Sequence, residues 1–238
     1  MIAASNEAEE CVADLRGLRS GTITFGAFGA PAHYRFVDLI NEFVTRFPGI
    51  QLRMQGRNSS VTADEVRAGE LEAALVVLPI NDTGLDVRPI ARDEVLFVSA
   101  DPARTTRPVS VEDFVGTPIV LYETQYGDED PTRRQLTERA QALGLRIEGR
   151  IEVEHLETTL QLVARGLGNS YVPQAVTKSA SFPDNLTTCS FDPQMYDTFA
   201  LISRRGSRVS QPVGAFMRLV ERHMRFAASG LPGGQVRA

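Results

Sequence analysis

Cysteine is nearly absent: Cys11 and Cys189 are the only two in 238 residues. One falls on an N-terminal helical stub and the other on a late predicted strand, which argues against a disulfide framework and leaves two isolated small side chains. Histidine is almost as sparse. His33, His155 and His223 have no ligand spacing to cysteines or acids, so no metal site is expected. No apolar run approaches the length of a membrane span. Met1 to Asp14 carries acids and alanines where an export signal needs a basic start and an apolar middle, so the expected location is the cytoplasm. The net charge is −5 with no basic cluster, which makes this chain alone a poor binder of nucleic acid. No glycine-rich phosphate loop has the required spacing; Gly166-Leu167-Gly168 follows a helix and suits a C-terminal cap. No serine sits in a nucleophile elbow, and catalysis and cofactors find no support.

What is present is an alternation of strand and helix. Gly21–Ala27 alternates at period two and is rich in β-formers. The period then changes: Phe36, Val37, Ile40, Phe43, Val44 and Phe47 recur at helical spacing, with Arg35, Asp38, Asn41, Glu42 and Arg46 opposite. Pro31 suits the first turn of this helix, and Pro48-Gly49 stops it. A strand over Ile50–Met54, a helix over about Val61–Gly69 and a strand over Ala73–Leu78 follow. Such alternation predicts parallel pairing and right-handed crossovers. Ligands of open sheets sit beyond the carboxyl ends of the strands, so the loops Ala27–Ala30 and Gln55–Ser60 are expected to wall a site.

The rest of the chain continues the pattern. Asp86–Ile90 is a short extended passage and Asp93–Ala100 a strand, with a turn at Asp101-Pro102. Ser110 caps a short helix ending at Val115, Pro118–Tyr122 is a buried strand, and Asp130-Pro131 opens a helix that Gly144 ends. Strand Arg146–Val153, helix Leu156–Arg165, strand Asn169–Val172, a helix around Gln174–Lys178, and strands Leu186–Phe191 and Thr198–Ser203 follow. The last helix opens at Ser210 and turns Val213, Phe216, Met217, Val220 and Met224 inward, with His223 on its solvated side. The pattern is α/β, in two βαβ-rich halves.

Four runs carry a family resemblance. Leu15-Arg16-Gly17-Leu18-Arg19-Ser20-Gly21-Thr22-Ile23-Thr24-Phe25-Gly26 resembles the linker-helix end and first strand of LysR-type transcriptional regulators. Phe43-Val44-Thr45-Arg46-Phe47-Pro48-Gly49-Ile50-Gln51-Leu52 is similar to that family's first-helix-to-second-strand passage, and Val66-Arg67-Ala68-Gly69-Glu70-Leu71-Glu72-Ala73-Ala74-Leu75 to its "GELD" element. Leu162-Val163-Ala164-Arg165-Gly166-Leu167-Gly168 with Val172-Pro173 matches its "GLG…P" turn. The order and spacing of these runs, from about Leu15 to Phe226, make the resemblance specific to the effector-binding part of such a regulator.

The resemblance implies two subdomains of the periplasmic-binding-protein type II kind, joined by a double crossover hinge with a cleft between. Residues 1–20 would be the end of a linker helix, 21–99 and 202–228 subdomain I, 100–201 subdomain II and 229–238 a disordered tail. The family's DNA-binding helix-turn-helix is missing upstream, as in a cut piece or a shortened gene product, so DNA would be reached only through that missing module. Homodimers or tetramers are implied, the first helix of one chain packing on the other subdomain of its partner. Peroxide-sensing members hold a reactive cysteine pair that this chain lacks.

Three predicted helix starts lie at the expected cleft mouth: Ala30-Pro31, Ser59 to Thr62, and His155 to Glu157. Their unpaired N–H groups favour anionic or carbonyl ligands. Matching the family backward from Gly69 places its effector-touching hydroxyl on Ser59. Ser59, Ser60 and Thr62 serve equally well as caps, and Thr62 to Glu65 reads as a capping box. Where members have serine or threonine after the first strand this chain has Phe28, which either faces an apolar or aromatic part of a ligand or packs in the core. Arg57 either anchors a carboxylate or is solvated. The expected effector set is Phe28, Gly29, Arg57, Asn58, Ser59, Ser60, Thr124, Gln125 and His155, and the expected partner a small organic effector, a carboxylate or an aromatic. Two rivals share the bilobal plan: a solute-binding protein of a transport system, opposed by the absent export signal, and a transferase, for which Cys189 has no suitable setting.

Overall fold

The structure, a computed structural model, describes residues 20–28 and 31–228. The expected linker-helix end with Cys11, the tail 229–238 and Gly29 lie outside the described residues. The chain divides into two compact units. The first takes the described residues up to Val76, Ile80–Ala91 and those from Phe199 onward; the second takes Val77–Pro79 and Arg92–Thr198.

The first unit is built on β1 (Gly21–Ala27), which pairs in parallel with β2 (Ile50–Gly56) along its whole length and with β3 (Ala73–Leu78) at Gly26 and Ala27. Helix α1 (Phe36–Arg46) joins β1 to β2, and α2 (Ser59–Ala68) joins β2 to β3. Both are crossovers that parallel strands require. The ring of Phe216, on the last helix, stands edge-on to Phe25 of β1 and to Phe43 of α1, each at 4.9 Å. These three aromatics, all fully buried, anchor the core. On β1 a side chain in place of Gly26 would meet the Thr62 methyl at 2.6 Å and Leu71 and Ala74 at 2.9 Å. Glycine is what lets α2 approach β1 so closely.

The second unit centres on the end of β4 (Leu85–Ser99), antiparallel to β8 (Ser170–Pro173) from Val95↔Pro173 to Val98↔Ser170. Beside them β5 (Val109–Ser110) runs parallel to β9 (Thr187–Arg204), and β6 (Val120–Leu121) parallel to β7 (Ile151–Glu152). The strand order is β2-β1-β3-β9-β4-β8. Helices α3 (Val111–Val115), α4 (Pro131–Ala142), α5 (Leu156–Ala164) and α6 (Gln174–Thr177) complete the unit, and α7 (Gln211–Ala228) returns to the first. Phe97, Phe114 and Phe191 meet edge to face at 5.7–6.3 Å in its core. No helix among the described residues is long and apolar enough to cross a membrane.

Several sequence expectations need correction. Pro31–Tyr34 is a separate 3-10 turn, and α1 starts only at Phe36, because Arg35 takes a left-handed backbone (φ 57°) and its carbonyl accepts from the Asp38 and Leu39 N–H groups. The inward stripe of α1 is Phe36, Leu39 and Phe43; Val37 is 70% exposed and Val44 38%. The two extended passages before Asp101 are one strand, as are the two expected between Leu186 and Ser203, since backbone pairing bridges polar stretches that interrupt the apolar pattern. The strand expected over Arg146–Val153 pairs only at Ile151–Glu152. Helix α2 begins at Ser59 under an Asn58 cap, so Thr62 is interior rather than the head of a capping box. Met217 is half-buried while Leu219 is buried, and the His223 ring nitrogen reaches the Tyr34 carbonyl at 3.1 Å, with burial lowering its pKa.

The glycine turn after α5 serves two needs. Gly166 takes φ +73° and its N–H donates to the Val163 carbonyl at 2.8 Å, ending the helix. A side chain at Gly168 would lie 2.7 Å from the Pro118 carbonyl oxygen, a backbone atom that cannot swing aside. Gly168→Ala is therefore expected to lower stability by about 1–3 kcal/mol in urea unfolding, whereas a midpoint equal to the wild type's would show that the turn relaxes freely.

Candidate functional site

The carboxyl ends of β1 and β2 and the start of α2 bring several expected residues together in the first unit. The Asn58 side-chain oxygen accepts from the Ser60 N–H at 2.9 Å, and its carbonyl accepts from the Thr62 N–H at 3.0 Å. Asn58, Ser59 and Thr62 are 5%, 3% and 1% exposed. Asn58 thereby spends its oxygen on the cap and keeps its Nδ2 donor, which is buried without a partner, as is the Thr62 hydroxyl. Ser59 and Ser60 both have further interactions of their own. Arg57 is more than half exposed and holds Glu65 at 3.4 Å, while its backbone N–H donates to the Ala27 carbonyl at 3.2 Å. A native structure rarely leaves buried polar atoms unpaired, since each costs the desolvation of a hydrogen-bonding group. Two such atoms at one helix start, where N–H groups and the helix dipole already favour negative charge, suit a carboxylate or carbonyl oxygen.

Phe28 packs within the first unit. It is 7% exposed and its ring packs against Tyr34 at 5.3 Å and Phe199 at 5.0 Å, so the core reading is the one the structure supports.

In the second unit the expected residues lie at the ends of β6 and β7. The exposed Thr124 hydroxyl donates to the Val153 carbonyl at 2.8 Å, and the Gln125 N–H donates to the Glu154 carboxylate at 3.0 Å. His155 is exposed and heads α5, but its side chain makes no capping hydrogen bond. Next to them sit acids that sequence reasoning passed over. Glu123 adopts a left-handed backbone (φ 58°), an uncommon state for a side-chain-bearing residue. Burial, with Asp130 and Glu154 nearby, pushes its carboxyl up to about 7. Burial also raises Asp130, the cap of α4, to about 6 against the pull of its N–H bonds from Arg133 and Thr132. Asp197 accepts from the Thr132 hydroxyl at 2.8 Å, yet its full burial raises it to about 8. The signal was in the alternation: Met195, Asp197 and Phe199 are all buried, so period two put Asp197 on the inward face of β9. Among the described residues no group of acids, histidines or cysteines is placed to hold a metal ion.

These raised values fix a sign. Asp197 in the fold binds its proton more tightly than the ordinary carboxyl at 3.8, as do Asp130 and, from 4.5, Glu123. Their contribution to stability is complete below the unfolded values and is lost as pH rises through about 6, 7 and 8. The chain should melt several degrees higher at pH 5.5 than at pH 8. Asp197→Asn, which keeps an acceptor for Thr132, should reduce that difference; an unchanged pH dependence in calorimetry would show that Asp197 is ionised throughout.

The LysR substrate binding domain profile matches residues 16–225. The HTH-type transcriptional regulator CzcR of Bacillus cereus is 23% identical over 187 residues, 78% of this chain and 62% of CzcR. The chain thus spans less than two thirds of the curated relatives it matches. Among solved structures, the BenM effector binding domain with its effector benzoate superposes with a TM-score of 0.72 at 17% identity, covering 91% of this chain and 98% of BenM's. The CcmR regulatory domain of Synechocystis PCC6803 in complex with 2-PG gives 0.74 at 16% identity, covering 90% and 100%. At these identities the superpositions establish the fold, of the periplasmic-binding-protein type II kind, and the profile match decides between regulator and transport protein. The chain belongs to the LysR substrate-binding domain family, the non-enzymatic effector-binding regulatory domains of LysR-type transcriptional regulators.

Proposed function

We propose that the effector is a small organic molecule whose carboxylate or carbonyl oxygen is held at the start of α2 by Asn58 Nδ2, Ser59 and the Thr62 hydroxyl. The observation that carries this reading is the pair of buried, unpartnered polar atoms at that helix start. Within the second unit, Thr124, Gln125 and His155 are proposed as ligand contacts of that unit. Phe28, whose ring belongs to the core, drops out of the set, and Arg57, already beside Glu65, is a weak anchor. Benzoate and 2-PG, ligands of the two solved relatives, are the natural first probes.

In the whole protein, a cytoplasmic regulator on this reading, the effector biases an attached DNA-binding module. Such coupling needs an effector with different affinity for two arrangements of the protein, not mere occupancy. The self-association surface is the outward stripe of α1, where Val37 and Val44 stand exposed beside the half-buried Ile40.

Two experiments test these readings. Asn58→Asp keeps the acceptor that caps α2 but removes the Nδ2 donor and adds a negative charge. Stability should stay near wild type, and benzoate or 2-PG affinity, read by calorimetry, should fall about tenfold or more; equal affinity removes Asn58 from the site. Val37→Asp with Val44→Asp should shift the chain to monomer in analytical ultracentrifugation, and an unaltered association state excludes this stripe.

A further inference from the structure

Helix α2 carries an acid that the effector contacts proposed above leave unused. Glu65 Oε1 lies 3.4 Å from Arg57 Nε, while its Oε2 is buried with no hydrogen-bond partner. Arg57 immediately precedes the Asn58 cap, so the Glu65 side chain reaches back along the helix to its start, the direction in which helical side chains lean. Asn58, Thr62 and Glu65 follow one another at spacings of four and three, which sets them on one face. Two contacts fix that face at the carboxyl end of β1. The Arg57 N–H donates to the Ala27 carbonyl at 3.2 Å, and the Thr62 methyl is the atom that a side chain at Gly26 would meet. The neighbouring acid, Asp64, pairs instead with Arg67.

The unmatched atoms of this face are of two kinds. Asn58 Nδ2 only donates, the Thr62 hydroxyl donates or accepts, and Glu65 Oε2, in a carboxylate, only accepts. All three lack partners, so none lies within hydrogen-bonding distance of another. Arg57 does not fill the gap, because its guanidinium is more than half exposed and meets the other Glu65 oxygen. A plain carboxylate at the head of α2 would serve the donors alone. It would set a negative charge beside Glu65 and leave Oε2 unmatched, at the cost of a buried acceptor without a partner. A molecule that adds an O–H or N–H next to its carboxylate serves both kinds of atom.

Building on the reading that holds the effector's oxygen at the head of α2, we propose that Glu65 is a specificity-determining residue. It selects hydroxy acids or amino acids over plain acids by accepting their O–H or N–H at Oε2. The helical rise separates Thr62 from Glu65 by about 4.5 Å along the axis, which suits a donor one or two atoms from the carboxylate carbon. An ammonium donor gains in addition from the Glu65 charge.

The test is calorimetric titration of the whole chain with two series, acetate, glycolate and glycine, and phenylacetate, mandelate and phenylglycine. Within each series only the group beside the carboxylate changes. In at least one series the hydroxy or amino compound should bind about tenfold or more tighter than the plain acid. Glu65→Met, which keeps the chain length and removes the acceptor, should bring that ratio to about one, whereas Asn58→Asp should weaken all members of the series. Circular dichroism checks that the variants fold; should Glu65→Met not fold, Glu65→Gln replaces it, and loss of the preference for the amino compound decides. A ratio near one in the wild type in both series, or a ratio retained in the folded Glu65 variant, overturns this inference and leaves the α2 site standing. Binding by no member of either series overturns the α2 site and the role of Glu65 together.

Discussion

Two strands serve two cores at once, and the rest of the domain depends on that. Strand β4 gives Leu85 and Ile90 to the first core and Val95 to Val98 to the second; β9 gives Phe191 and Met195 to the second and Phe199 to Ile202 to the first. A strand of fifteen or eighteen residues can do this because its hydrogen bonds run to neighbouring strands and do not depend on which core its side chains fill. The passages at Ala91/Arg92 and Thr198/Phe199 therefore fall inside regular structure, while Val77–Pro79, at the end of β3, returns to the first unit through the irregular segment at Pro79-Ile80.

This construction leaves polar chemistry at strand ends and helix starts, where backbone pairing runs out. In the first unit the result is a donor surplus: Asn58 caps α2 with its oxygen and keeps an unmatched amide, beside the unmatched Thr62 hydroxyl. In the second, the Thr132 hydroxyl donates to the buried Asp197, while Arg134 Nε and Gln135 Nε2 on the same helix are buried without partners. Thr62 packs closely over Gly26, and the Thr132 hydroxyl donates to Asp197 at 2.8 Å.

Local chemistry made much of this readable from sequence. The β1-to-β3 alternation, the Ser110 and Asp130 caps and the Gly69 and Gly166 helix ends are decided by residues within a few positions of each other, as are the hydroxyls following β2. The site was legible only in part. The helix start at Asn58, Ser59 and Ser60 was readable because it has a short-range signature, whereas the burial of Asp197 was not, because a single acid in a strand reads as a solvated side chain until its neighbours are known.

Sequence by itself was enough for the α/β class and the chemistry available at the helix starts, since both follow from short-range periodicity and residue type, and for the family, through the resemblance that four runs carry. Packing alone decided which apolar faces turn inward. Phe216 claimed Phe43 and left Val37 to solvent, Phe199 and Tyr34 enclosed Phe28, and paired neighbours carried β4 and β9 through their polar stretches. Those outcomes rest on contacts between residues far apart in the chain, and the free energy of burial belongs to the pair in contact, not to either segment read alone.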